Sequence, residues 1–148
     1  MATVTTPPED VSELIPHRHA ARLLTRVTRW SATDVEAVGR IPAAHPLVVD
    51  GAAPAFLAIE LGAQAAAAME TLQRSEAGHA EPRVGSLVRI RSASFDSSAI
   101  PVDTSMRVLG RLEGSAPPLA IYAVSVMLGD RIIAQAEFAT YDTSGTSS

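Results

Sequence analysis

The sequence predicts an α+β domain in which one long, buried helix is wrapped by a curled antiparallel sheet. Three observations carry this expectation. A single apolar, helix-forming run, Ala55 to about Gln73, stands in the middle of a 148-residue chain. Two strand-like segments precede it and only strand-like segments follow, so the pattern is not a βαβ alternation. The last two strands are divided by Gly129-Asp130, and glycine at the first central position is the signature of a tight type II′ hairpin.

The elements follow in order. Residues 1–9 and 143–148 are small, polar and unpatterned, and read as frayed tails around one domain at 10–142. "EDVSELIP" suggests a short helix from about Asp10 to Ile15, stopped by Pro16. Leu23 to Trp30 is apolar and β-branched enough for a strand. "DVEAVGRI" alternates, with Val35, Ala37 and Gly39 on one face, and reads as a second strand near an edge. Pro54 fits a first helical turn, where its missing N–H costs nothing. The first four turns of the helix behind it are apolar on nearly every side, which marks burial all round. Its alanines and Gly62 permit close approach of other backbones. Strands are then expected at about Ser86 to Phe95, along "VDTSMRVLGRL" with Val102, Thr104, Met106 and Val108 on one face, and at Leu119 to Leu128 and Arg131 to Tyr141. One helix cannot cover such a sheet completely, so its edges invite a second copy.

Composition removes several classes of function. The chain holds no cysteine, so disulfides, thiolate metal sites and cysteine nucleophiles are excluded. All 12 basic residues are arginine, which excludes a Schiff-base lysine. A net charge of −4 argues against general nucleic-acid binding. The low-charge run Ala55 to Met69 would span roughly 22 Å as a helix, short of the ~30 Å of a bilayer core. "MATVTTPPED" shows no signal-peptide pattern, and the absence of cysteine suits a reducing cytoplasm. His17 and His19 form an H-x-H without a third ligand nearby, so no metal site is expected.

The candidates for chemistry surround the helix start. Pro46 restricts the backbone of His45, which is either a positioned general base or a loop histidine at a strand end. Glu60 lies between Ile59 and Leu61. A carboxyl enclosed there would tend to keep its proton and could serve as a general acid, or it could be a surface charge or a structural hydrogen-bond partner. Gln64 is one helical turn on and could orient Glu60. Phe56, on the same stripe, could exclude water or simply pack in the core. Pro54-Ala55-Phe56 offers free backbone N–H groups and the positive end of a helix dipole, which can polarise a carbonyl.

These residues resemble those of a known family. "LIPHRHAARLLTRV" (Leu14 to Val27) is similar to the opening L-P-H-R…L-L…R-V of hotdog-fold 3-hydroxyacyl-ACP dehydratases, where ACP is acyl carrier protein. "HPLVVDGAAPAFLAIELGAQ" resembles their catalytic segment, a histidine followed by a proline-started helix carrying E-x-x-A-Q. The resemblance covers about Ser12 to Asp142. Housekeeping members carry G-H-F-P-G-x-P-x-x-P-G; here the loop is one residue longer and Ala55 replaces a glycine. That looks more like the branch associated with aryl polyene and type II polyketide pathways.

The resemblance implies a fold and a chemistry. The fold is the hotdog, and the reaction is loss of water from a 3-hydroxyacyl thioester on the phosphopantetheine arm of an acyl carrier protein, giving a trans-2-enoyl thioester. His45 would remove the α-proton, Glu60 would protonate the departing hydroxyl, Gln64 would orient Glu60, and the Ala55 amide would polarise the thioester carbonyl. No cofactor or metal is implied. The histidine and glutamate meet across a dimer interface in this family, which implies a homodimer or a heterodimer with a second hotdog protein. Arg83, Arg89 and Arg91 are candidates for docking an acidic carrier protein, or else scattered solvated arginines. Rival readings are a hotdog acyl thioesterase and a non-catalytic hotdog partner subunit.

Overall fold

The computed structural model describes residues 11–78 and 85–142. Both tails, His79 and Arg83 lie outside the described residues. A 3-10 turn at Val11–Glu13 replaces the short helix expected to run to Ile15, and a second follows at His19–Ala21. The chain then enters strands β1 (Leu24–Trp30) and β2 (Asp34–Gly39), a short strand β3 (Ala52–Pro54) and helix α1 (Leu57–Glu76). Strands β4 (Gly85–Phe95), β5 (Ala99–Pro101), β6 (Met106–Ala116), β7 (Leu119–Leu128) and β8 (Arg131–Asp142) complete it.

Six strands form one antiparallel sheet in the order β1-β2-β6-β7-β8-β4, and β3 pairs with β5 beside it. The sheet does not close. Helix α1 packs against β1, β2, β6, β7 and β8. Its alanine-rich sequence matters here. Ala58, Leu61, Ala65, Ala68 and Met69 are fully enclosed, and they join Val108, Tyr122 and Phe138 in a single core. Each large side chain so buried contributes about 1.5–3 kcal/mol. Gly62 permits a close approach of the helix to β7, since a Cβ there would lie 2.8 Å from Val124 Cγ2. The hairpin between β7 and β8 turns at Gly129, whose φ is +61°.

Two expectations are corrected. Pro54 does not open the helix; it ends β3, paired with Ala99, and α1 begins at Leu57. The strand expected along Val102–Leu112 is broken at its start. Asp103 takes φ +52°, and its carboxylate accepts from Ala43 N and Arg40 at 3.3 Å, so the regular strand begins only at Met106. Beyond that break Met106 and Val108 face the core and Arg107 and Leu109 face outward, as their alternation predicts.

The edge strand β4 differs from the rest. From Ser86 to Phe95 every residue is exposed, including Leu87, Val88, Ile90 and Phe95. Among the described residues only β8 pairs with it.

Candidate active site

Gln64 is the centre of the site. It is 0% exposed, and a buried amide must satisfy its carbonyl and both N–H groups. It does so completely. Its Oε1 accepts from Leu23 N at 2.8 Å and Leu24 N at 3.0 Å, while its Nε2 donates to Ala21 O at 2.8 Å and Glu60 Oε1 at 3.2 Å. Orienting Glu60 is therefore one of four tasks. The other three strap the start of β1 to the helix. Thr71 and Gln73 do the same further along, donating to Leu14 O at 2.8 Å and to Ser31 O and Ala32 O at 3.0 and 2.9 Å. The polar residues of this greasy helix are ties to the segments laid across it.

Glu60 departs from expectation. Its side chain is 39% exposed, not enclosed, and His17 Nε2 lies 3.2 Å from Oε1. The hydrogen bond from His17 is the largest influence and holds the carboxyl below its ordinary value of 4.5. Partial burial opposes it; the Gln64 hydrogen bond and positive charge on His17 or His45 act with it. In the open chain Glu60 is thus a carboxylate, and the apolar neighbours do not keep it protonated. His17 is the residue that sequence reading left aside as half of an H-x-H. Its partner lies 43 positions away, and the only hint was its place in "LIPHR".

His45 occupies the loop before β3 and is half-buried. The loop is a chain of tight turns: His45 N donates to Pro42 O and Val48 N to His45 O, both at 3.0 Å. Leu47 N donates to His45 Nδ1 at 3.1 Å. That contact occupies one lone pair, so the neutral ring carries its proton on Nε2. To act as a base, His45 must lose the Leu47 contact or exchange the ring proton.

The Ala55 amide is not the free donor expected. It donates to Ser98 O at 3.0 Å, because Ala55 continues the β3–β5 pairing. The amides of Phe56 and Leu57, at the true helix start, have no acceptor among the described residues. Phe56 itself is 52% exposed rather than packed in the core. Leu47 and Val49, in the loop before β3, are exposed as well. Of the arginines considered for docking, Arg91 is committed to Glu137 at 2.8 Å across β4 and β8, and Arg89 is exposed on β4.

One long helix cradled by an open antiparallel sheet defines the hotdog class. Within that class a family model described as ApeP-like, ApeP dehydratase, matches residues 9–148, and the chain belongs to this dehydratase family. Among solved structures, a chain of the dehydratase heterocomplex ApeI:P from Xenorhabdus doucetiae superposes with a TM-score of 0.83 at 21% identity, covering 92% of each chain. Cj0977, a sigma28-regulated virulence protein of Campylobacter jejuni, gives 0.65 at 9% identity over 90% of this chain and 87% of its own. A hypothetical thioesterase with coenzyme A from Streptococcus pneumoniae gives 0.58 at 14% identity over 79% and 86%. No curated protein matches the chain. No helix among the described residues is long and apolar enough to cross a membrane.

Proposed function

We propose that this chain is one subunit of a dehydratase that removes water from a 3-hydroxyacyl thioester carried by an acyl carrier protein, in polyene or polyketide biosynthesis. The observation that carries the reading is the Glu60 carboxylate, held by two donors in the first turn of the buried helix, in a chain of the ApeP-like dehydratase family. In the reaction His45 takes the α-proton and Glu60 gives a proton to the departing 3-hydroxyl; the C–O bond breaks and the electron pair left at Cα forms the double bond. The amides of Phe56 and Leu57 are the donors available for the thioester carbonyl.

The open chain holds both groups in the opposite condition, with Glu60 ionised and one His45 lone pair occupied. An acyl chain that displaces water over Glu60 raises its pKa and arms it as an acid. A second hotdog subunit seated on β4 and on the exposed Leu47, Val49 and Phe56 would close the same space, and the likeness to a chain of a dehydratase heterocomplex favours a different chain over a second copy. The cytoplasm is the compartment where carrier-protein substrates are met.

The test is direct. The chain is mixed with a 3-hydroxyacyl carrier protein, alone and with the hotdog protein encoded beside it, and the carrier is weighed by mass spectrometry. Loss of one water from the acyl group is expected; no loss under either condition refutes the reading. An ionised Glu60 also suits activation of water, so a thioesterase is the second reading, and it predicts free acid and an unloaded carrier.

A further inference from the structure

Resting on the dehydratase reading, we propose that His17 is the positioning residue of the site: with Gln64 it fixes one oxygen of Glu60 and leaves the other as the reacting atom. Both donors reach the same oxygen. His17 Nε2 and Gln64 Nε2 each lie 3.2 Å from Glu60 Oε1. No donor reaches Oε2 among the described residues. A carboxyl held by one donor can rotate about its last bond and exchange its oxygens. Two donors converging from different elements resist that rotation, so Oε2 keeps one direction.

The two donors also form one mechanical unit. Gln64 holds Ala21, Leu23 and Leu24, and this strap carries the segment from which His17 projects. Gln64 thus places Glu60 twice, once by its own amide and once through His17. The ring of His17 is suited to this task. Its Nδ1 is buried without a partner among the described residues, so a proton there would be left unsatisfied, whereas a proton on Nε2 meets the carboxylate. The titratable groups acting on Glu60 are His17, from the segment before β1, and His45, from the loop before β3; Gln64 adds a neutral donor.

The test compares His17→Leu, which removes the donor, with His17→Gln, which restores an N–H. Glutamate carboxyl carbons are labelled and the full chain is titrated by NMR. The Glu60 midpoint should move upward in His17→Leu and return toward wild type in His17→Gln. In turnover of the carrier-bound substrate, kcat should fall about tenfold to a hundredfold in His17→Leu with KM unchanged, and recover most of the loss in His17→Gln. Equal Glu60 midpoints in wild type and His17→Leu overturn the proposal, as does an equal loss of kcat in both variants. If His17→Leu does not fold, His17→Asn takes its place, since its shorter amide stops short of Glu60. Should wild type fail to release water, the dehydratase reading falls, while the titration still decides whether His17 holds Glu60.

Discussion

The two sides of the candidate site are built differently. On the helix side, Gln64 spends every hydrogen-bonding group it has, and Glu60 is gripped at one oxygen by His17 and Gln64. On the loop side, the described residues hold His45 only by turns within its own loop, and three of the apolar residues after it, Leu47, Val49 at 69% exposure and Phe56, face outward. One side is complete within the chain. The other presents apolar surface of the kind that marks a covered interface. The difference teaches that the grip on Glu60 is built into this fold, whereas the loop around His45 leaves its apolar side chains outside the core.

Substitutions can break or sharpen that contrast. The largest effects are expected on turnover: Glu60→Gln and His45→Ala should each reduce the rate of water loss by about 10²–10⁴-fold in the assembled complex, read by mass spectrometry of the carrier. A mild effect from either removes that residue from its role. Next is stability. Gln64→Leu strands Leu23 N, Leu24 N and Ala21 O, and should destabilise the isolated chain by roughly 3 kcal/mol in urea unfolding. A neutral result would mean the helix side is no better fixed than the loop.

A smaller effect follows from pH. The folded Glu60 sits below its ordinary value of 4.5, so its contribution to stability is present above that value and lost as pH falls through the folded one. The stability gap between wild type and Glu60→Gln should therefore shrink on going from about pH 5 to about pH 3, and a constant gap would show that the carboxylate gains nothing from His17 and Gln64. The smallest effect belongs to the loop. Val49→Ser should change the isolated chain by less than about 0.5 kcal/mol while weakening capture of the partner hotdog protein in a pull-down. Unchanged capture would detach the exposed loop from the interface.

Much of the fold was legible because its signals are local. The first four turns of the helix are largely apolar, β2 and the middle of β6 alternate, and Gly129-Asp130 marks its own hairpin. What escaped depends on contacts distant in sequence. A three-residue strand such as β3 carries no periodicity, so Pro54 reads as a helix start in the sequence, and only its pairing with Ala99 makes it the end of a strand. That pairing also takes the Ala55 amide. The turn at Asp103 is fixed by Ala43 and Arg40, some sixty positions earlier. Within the site, Gln64's grip on Glu60 follows from helical spacing, but the exposure of Glu60 and the hand of His17 do not. Both depend on how the N-terminal segment crosses the helix.

The edge strand β4 has a consequence for how the protein is made. A long strand whose outer edge pairs with no described residue, with Leu87, Val88 and Ile90 exposed, is a template for any extended chain, including another molecule of the same kind. Produced on its own, the chain is expected to self-associate and precipitate as its concentration rises. If a second subunit covers β4, balanced synthesis of the two would protect this chain, and co-expression should raise its recovery before any catalysis is measured.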